Sequence, residues 1–458
     1  MTVTETPGQD LSDTALAADF GNVLSRAAER GTGWLNPLRE SGFAAFERLG
    51  FPTMRDESWK YTNAKPIADR QWLAPDDEAA TIERERIEPL LMPGLDAWVM
   101  VFIDGRLSRA LSLLPDEGLA GPATVRPLAE ALADDRGGVQ PWLGELVDVN
   151  DDAFAALNTA FIEDGLFVHV PAGAEADKPI HVLSVMTGRA DSLASHPRNL
   201  IVAEEGAAVQ VIEHYVGLDH DSVYLVNGVT ELFAAERARV QHYMIESDSE
   251  RAFNISTLKL RQAAESDVHS HTALLGGNIV RNNIHPILAG DDIHCLINGL
   301  YLGHGEQHLD NHMRVEHKAL RGDSRQFYKG ILDDRAHGVF TGRILVDPGA
   351  QQTDAKQSNQ SLLLTDRARA NARPQLEIYA DDVKCTHGAT TGQIDEEMLF
   401  YLRSRGLDPD TARAMMIFAF AAETFERIEL EPVEQLLRNV LAERLPGARW
   451  LVEPIEPA

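Results

Sequence analysis

From about residue 165 to 393 the chain echoes itself. Two or three small or acidic residues are followed by β-branched residues alternating with polar ones. The echo reads E-E-G-A-A-V-Q-V at 204–211, A-E-R-A-R-V-Q-H at 235–242 and A-E-S-D-V-H-S-H at 264–271. It continues as A-G-D-D-I-H-C-L at 289–296, R-G-D-S-R-Q-F-Y at 321–328 and D-D-R-A-H-G-V-F at 333–340. Spacings cluster near 25–32 residues, with one short step of about 12. This period suits a β-solenoid, whose coils are a few short strands joined by tight corners and bury a core only against their neighbours. A two-sheet sandwich is the competing fold, since short strands with turn signals fit it too.

The flanks have a different period. Residues 1 to about 75 read as helical, with apolar positions at Leu11, Ala15, Ala18, Val23, Leu24 and Ala27, then Phe43, Phe46 and Leu49. Gly31 and Gly33 punctuate the first pair of helices, and Gly50-Phe51-Pro52 ends the second. From 76 to 165 the pattern is mixed, with a strand at 97–105 and a helix around 127–134. In the tail, a charged helix over 395–405 stops at Gly406. Another opens with Asp408 as N-cap and Pro409 at its first position. A last helix follows Pro432 and places Val433, Leu436, Leu437, Val440 and Leu441 on one face. The expected division is a helical and mixed N-terminal region at 1–165, a β-helix core at 166–394 and a helical C-terminal region at 395–458. The 411–428 helix is apolar over more than one stripe, so it is either core or a docking face; Met415, Met416, Phe418 and Phe420 are the candidate docking residues.

Composition narrows the function classes. Of 458 residues, 71 are acidic and 42 basic, a formal charge of −29 that repels nucleic acid and anionic lipid. The acidic blocks at 76–78 and 83–88 read as solvated faces. No apolar run approaches the roughly 20 residues that span a bilayer. The acidic start M-T-V-T-E-T-P-G-Q-D resembles neither a secretory signal nor a transit peptide, so the expected compartment is the cytoplasm. The two cysteines, Cys295 and Cys385, exclude a disulfide framework and any self-contained four-cysteine metal site. A chain like this handling soft metal or sulfur must borrow ligands from another. No G-x-x-x-x-G-K-[ST] loop occurs, nor G-x-G-x-x-G, G-x-S-x-G or H-E-x-x-H, so nucleotide hydrolysis and the commonest enzyme classes lose their anchors.

Two constellations carry chemistry. The run H-G-E-Q-H-L-D-N-H spaces His304, His308 and His312 four apart, putting neighbouring imidazoles roughly on one face. A metal site is one reading; histidines filling half-buried positions along the coils is the other. The second is D-D-V-K-C-T-H-G at 381–388. If extended, it points Cys385 and His387 to the same side, and the neighbouring Lys384 would favour the thiolate. A structural role, half of a ligand site shared with another chain, and a Cys–His nucleophile all stay open. Cys295, in the strand-like I-H-C-L-I-N, reads as an apolar filler.

The run D-D-V-K-C-T-H-G-A-T-T-G-Q-I-D-E-E-M-L-F-Y-L-R-S-R-G-L resembles the signature of the SufB/SufD family of iron–sulfur cluster assembly scaffolds. R-D-E-S-W-K-Y-T-N at 55–63 and Q-H-L-D-N-H at 307–312 support it. So do F-Y-K-G-I-L-D-D-R-A-H-G-V-F-T-G-R-I at 327–344 and T-D-A-K-Q-S-N-Q-S-L-L-L at 353–364. The likeness covers the chain, weakly at 1–50 and 76–165, and lies with the SufD branch, because Q-S-N-Q-S-L-L-L lacks the cysteine expected of SufB. It implies a right-handed parallel β-helix between helical domains and a non-catalytic role. It also implies pairing with a SufB-like scaffold and docking of a SufC-like ABC ATPase on the C-terminal helices. Cys385 and His387 would lie at the SufB interface, near a transient iron–sulfur cluster shared with that partner, His387 being the better functional candidate. Gly388 stands where SufB is expected to carry a glutamate. Flavin has been associated with the family's complex, but no flavin motif is recognisable here. A homodimer without SufB is left open. The alternatives from other classes are a stand-alone metal protein using His304, His308 and His312, and a β-helix enzyme acting on polysaccharide.

Overall fold

The computed structural model describes residues 15–448 apart from 77, 78 and 135. Leu11 and two residues of the acidic block at 76–78 therefore lie outside the described residues. The centre is a β-solenoid of two facing sheets, each coil giving one strand to either sheet. In the first sheet, Arg239, Asp267, His294, Asp323, Asp354 and Lys384 stand in parallel register on successive strands, so a coil takes 27 to 31 residues. The second sheet stacks Tyr224–Ala234, Phe253–Gln262, Ile279–Leu288, His308–His317, His337–Val346 and Arg369–Ile378 in the same way.

The echo in the sequence is the corner between the sheets. Arg237, Glu265, Asp292, Arg321 and Gln352 hold positive φ between 55° and 62°, a conformation that costs a non-glycine residue about 1–2 kcal/mol. Stacking offsets that cost. Each of these N–H groups donates to a carbonyl of the next corner: Ala264, Asp291, Leu320, Gln351 and Asp382, at 2.9, 2.8, 3.0, 2.9 and 2.6 Å. The short step of 12 residues also has a cause. D-D-R-A-H-G, with Asp334 at φ 51°, is the opposite corner and leads into the second sheet. Inside, bulky rings interlock with gaps: a Cβ on Gly299 would lie 2.1 Å from the Tyr328 ring, and one on Gly330 2.1 Å from the Tyr301 ring. The F-Y-K-G-I run is thus core packing. Cys295 is fully buried in this interior, as an apolar filler would be.

Helices Ala15–Glu29, Asn36–Leu49 and Ala153–Ala160 pack around Phe20, Phe43, Phe46 and Leu157 at the N-terminal side. The expected strand forms as Trp98–Ile103 and extends the first sheet by parallel pairing with Ile180–Met186; the expected short helix forms as Leu128–Asp134. At this end both sheets finish in two-residue antiparallel strands, Arg106–Leu107 and Leu119–Ala120. A buried ion pair ties the region to the solenoid. Arg198 contacts Glu231 at 2.5 Å, both side chains fully buried, and Glu231 also accepts from the amides of Gly144 and Leu146 at 2.8 and 2.9 Å.

The described part of the tail is three helices, Glu396–Ser404, Pro409–Phe425 and Glu431–Arg444. Asp408 caps the second by accepting from the amides of Asp410 and Thr411, and Gly406 takes φ 98° just after the first. Ile417, Ala421, Phe425, Val433, Leu437 and Leu441 bury against Tyr243, Ile245, Leu300 and Ile331 on the outer face of the first sheet. Lys329, almost fully buried, anchors this layer through Glu423 at 2.9 Å and the Phe420 ring at 4.3 Å.

Candidate functional site

Cys385 and His387 lie on Lys384–Gln393, the last strand of the first sheet. Among the described residues that strand pairs with Asp354–Leu363 alone, so its other edge is unpaired there. Register puts Cys385 over Ala355 and His387 over Gln357, both buried, so the two side chains share the inward face at the open end of the solenoid. Gln357 in turn donates to Oε1 of Gln326 at 2.6 Å, a polar step beneath the imidazole. His387 is exposed, whereas Cys385 is half-buried beside Ile344, Ala355, Leu376 and Val383. Burial pushes the Cys385 thiol up, the Asp354 charge adds to this, and a hydrogen bond with the Ala355 backbone offsets part of it. The expectation that Lys384 favours a thiolate is therefore corrected. Strand alternation sends Lys384 to the opposite face, where it is exposed. The matching end strand of the second sheet, Arg369–Ile378, is likewise unpaired on its outer side among the described residues.

The other predicted residues do not converge. His304 sits in a corner, with Nδ1 2.6 Å from Oε1 of Gln307 and Nε2 3.2 Å from Oε1 of Glu250. His308 and His312 do share a face of one strand, but four residues of strand separate them by about 13 Å. Burial pulls His308 down to about 4 and His312 down to about 3. His308 belongs to a different device. Its Nε2 is 2.8 Å from the Thr62 hydroxyl, Thr62 donates to Asp310, and Arg281 reaches Asp310 at 2.6 Å while lying 4.1 Å over the Trp59 ring. The W-K-Y-T-N and Q-H-L-D-N-H stretches thus meet, and clamp the N-terminal region onto the second sheet. Met415, Met416, Phe418 and Phe420 are half-buried; Phe418 and Phe420 pack at the margin of the helix–sheet core.

Among the described residues, the one group of three or more metal-ligating side chains close enough to share an ion is Asp267, His269 and His294. A signal for them was present: D-x-H on one strand, with His one coil later in register with the Asp. Only the coil length, which the echo gives loosely, hid it.

Fold and site together define a β-solenoid with a cysteine and a histidine on an end strand that is unpaired among the described residues. Residues 185–420 match the SufBD core domain of SUF-system FeS cluster assembly, and residues 17–182 match the SufBD N-terminal region. The iron–sulfur cluster assembly protein SufD of Escherichia coli is 33% identical over 414 residues, 90% of this chain and 93% of that protein. A SufBD family protein of Synechocystis is 32% identical over 86% of this chain and 87% of its own length. The chloroplastic ABCI7 of Arabidopsis thaliana is 29% identical over 88% and 85% respectively. This chain belongs to the SufBD family of the SUF iron–sulfur cluster assembly system. No helix among the described residues is long and apolar enough to cross a membrane.

Proposed function

We propose that this chain is a SufD-type, non-catalytic scaffold subunit that pairs through its open end with a SufB-like solenoid in the cytoplasm. The observation carrying this reading is that the C-T-H motif lies on the strand whose outer edge is unpaired. Backbone groups on that edge offer a ready template for another chain's strand. Pairing there would bring His387 within reach of ligands on the partner, and the two together would hold a nascent iron–sulfur cluster as cargo. Cys385, a thiol in the isolated chain, would serve as a supporting or protecting group at the same interface.

The C-terminal helices are the docking site for a SufC-like ABC ATPase in this reading. Met415 and Met416 lie half-buried there, with Phe418 and Phe420 reaching from the surface toward the sheet. The neighbouring Glu396–Ser404 helix leaves Met398, Phe400 and Tyr401 49%, 72% and 50% exposed, apolar surface continuous in sequence with the motif strand. ATP-driven movement of these helices would then act on the end strand through the short 394–395 link.

The test is co-expression with SufB-like and SufC-like partners, followed by anaerobic reconstitution and visible absorption. In the His387→Ala variant the complex is expected to stay assembled and the cluster bands to vanish. An unaltered cluster yield would overturn the proposal.

A further inference from the structure

Four and three coils before the open end, on the outer face of the first sheet, three ligand-type side chains converge. Asp267 opens one strand and His294 opens the next, directly in register; His269 follows Asp267 by two residues on the same face. Oδ1 of Asp267 is 3.1 Å from Nε2 of His269 and 2.8 Å from Nδ1 of His294, and the imidazole centroids are 5.4 Å apart with planes at 67°. One ligand atom from each residue fits within 4.8 Å of the others.

A divalent transition cation bound tetrahedrally at about 2.0–2.2 Å needs donor atoms about 3.3–3.5 Å apart. The present separations, 2.8 and 3.1 Å with all three donors within 4.8 Å, bracket that value, so side-chain rotation on binding would have to adjust them. Both nitrogens of His269 are buried and make no hydrogen bond of sound geometry, although carboxylate oxygens stand close to each. Of the two, Nε2 faces Asp267, so a buried lone pair without a donor is available on the side of the cluster. Each imidazole also has a second carboxylate behind it. Oε1 of Glu429 is 3.3 Å from Nδ1 of His269, and Oδ1 of Asp323 is 3.7 Å from Nε2 of His294. Neither contact is a formed hydrogen bond, but each places a negative charge on the far side of the ring, where a carboxylate drawn in on metal binding would fix the tautomer that presents the other nitrogen.

We propose that Asp267, His269 and His294 form a binding site for a divalent first-row transition cation. Two imidazoles and one carboxylate with positions left open select Fe2+ or Zn2+ over Mg2+ or Ca2+. The site goes beyond the shared cluster site and uses none of its residues. Glu429 lies in the segment joining the Pro409–Phe425 and Glu431–Arg444 helices, so an ion held by His269 braces the helical layer against the solenoid.

The full chain, stripped with chelator, would be titrated anaerobically with Zn2+ and with Fe2+ by calorimetry, with Mg2+ as comparison. One site is expected for Zn2+ or Fe2+ and none for Mg2+. Asp267→Asn and His294→Gln, both at side chains 45% exposed and so tolerant of change, should abolish binding. Glu429→Gln should weaken it about 10- to 100-fold without removing it. His387→Ala and Cys385→Ala should leave it intact, which separates this site from the end strand. Ion binding should also slow amide exchange in residues 426–434. The absence of any Zn2+ or Fe2+ site, or equal binding in Asp267→Asn and His294→Gln, would overturn the proposal.

Discussion

The polarity of backbone groups on the end strand supports a paired substitution. Lys384 donates its N–H to Thr353 at 2.8 Å, toward the preceding coil. In a parallel ladder alternate residues turn their N–H to opposite edges, so Thr386, Gly388 and Thr390 face inward along the sheet. Cys385, His387, Ala389 and Thr391 face the open edge. Ala389→Pro therefore removes no bond of the isolated chain, whereas Thr390→Pro deletes one. A partner strand loses the Ala389 donor and, because the ring holds its backbone away, the flanking bonds at His387 and Thr391. At about 0.5–1.5 kcal/mol net per bond, that is about 1.5–4.5 kcal/mol, or roughly 10- to 1,000-fold in affinity. Circular dichroism melts of the single chain and calorimetry against a SufB-like partner read the two effects separately. Ala389→Pro should melt like the parent and bind weakly; Thr390→Pro should fray its strand and melt lower. Parent-like affinity in Ala389→Pro would refute the edge as the interface, and a lowered melt would refute the assigned polarity.

Removing the guanidinium in Arg198→Met strands the buried Glu231 carboxylate and should cost about 3–5 kcal/mol, while the double variant with Glu231→Gln should recover part of it; urea titration measures both. Acid should weaken the fold early. Burial pulls His181 and His196 to about 4 and His214 and His271 to about 3. Below pH 6.5 the unfolded chain then takes up protons that the folded chain refuses. Each group costs about 1.4 kcal/mol per pH unit until its folded pKa is reached, so stability is present above pH 6.5 and falls from there toward about pH 4. His181→Leu, at a side chain with no partner for Nε2, should flatten the melting temperature against pH over this window. At neutral pH a disulfide reagent should label Cys385 slowly, and Cys295 only after unfolding, as burial raises both thiols.

Local chemistry was legible in the sequence wherever it sets the backbone. Asp408-Pro409 announces a helix start, Gly406 a helix end, and the small or acidic clusters announce corners, because each states a conformational demand at one position. The solenoid over the sandwich was legible for the same reason: a corner recurring about once per coil implies stacking. What joins residues far apart in the chain was not. Trp59 and Thr62 meeting Arg281 and Asp310, or Lys329 reaching Glu423, depend on which outer face a helical region covers, and that choice leaves no periodic trace. The histidines mislead likewise. A spacing of four drew attention to His304, His308 and His312 along a strand, while the ligand geometry runs across strands, from His269 to His294, at a separation fixed by coil length.

The two ends of the solenoid are not alike. One finishes in two-residue antiparallel strands; the other leaves two ten-residue strands unpaired among the described residues, and Pro374 sits on one of them at a position whose missing N–H would face outward. Lengthwise the described residues therefore offer one extended open end. On the proposed pairing, joining two such bodies by these ends would occupy both long edges, so association would stop at a pair rather than propagate as a fibre. A rod of stacked strands, the geometry of a filament subunit, would thereby become half of a closed, finite particle. Its seam would fall beside Cys385 and His387.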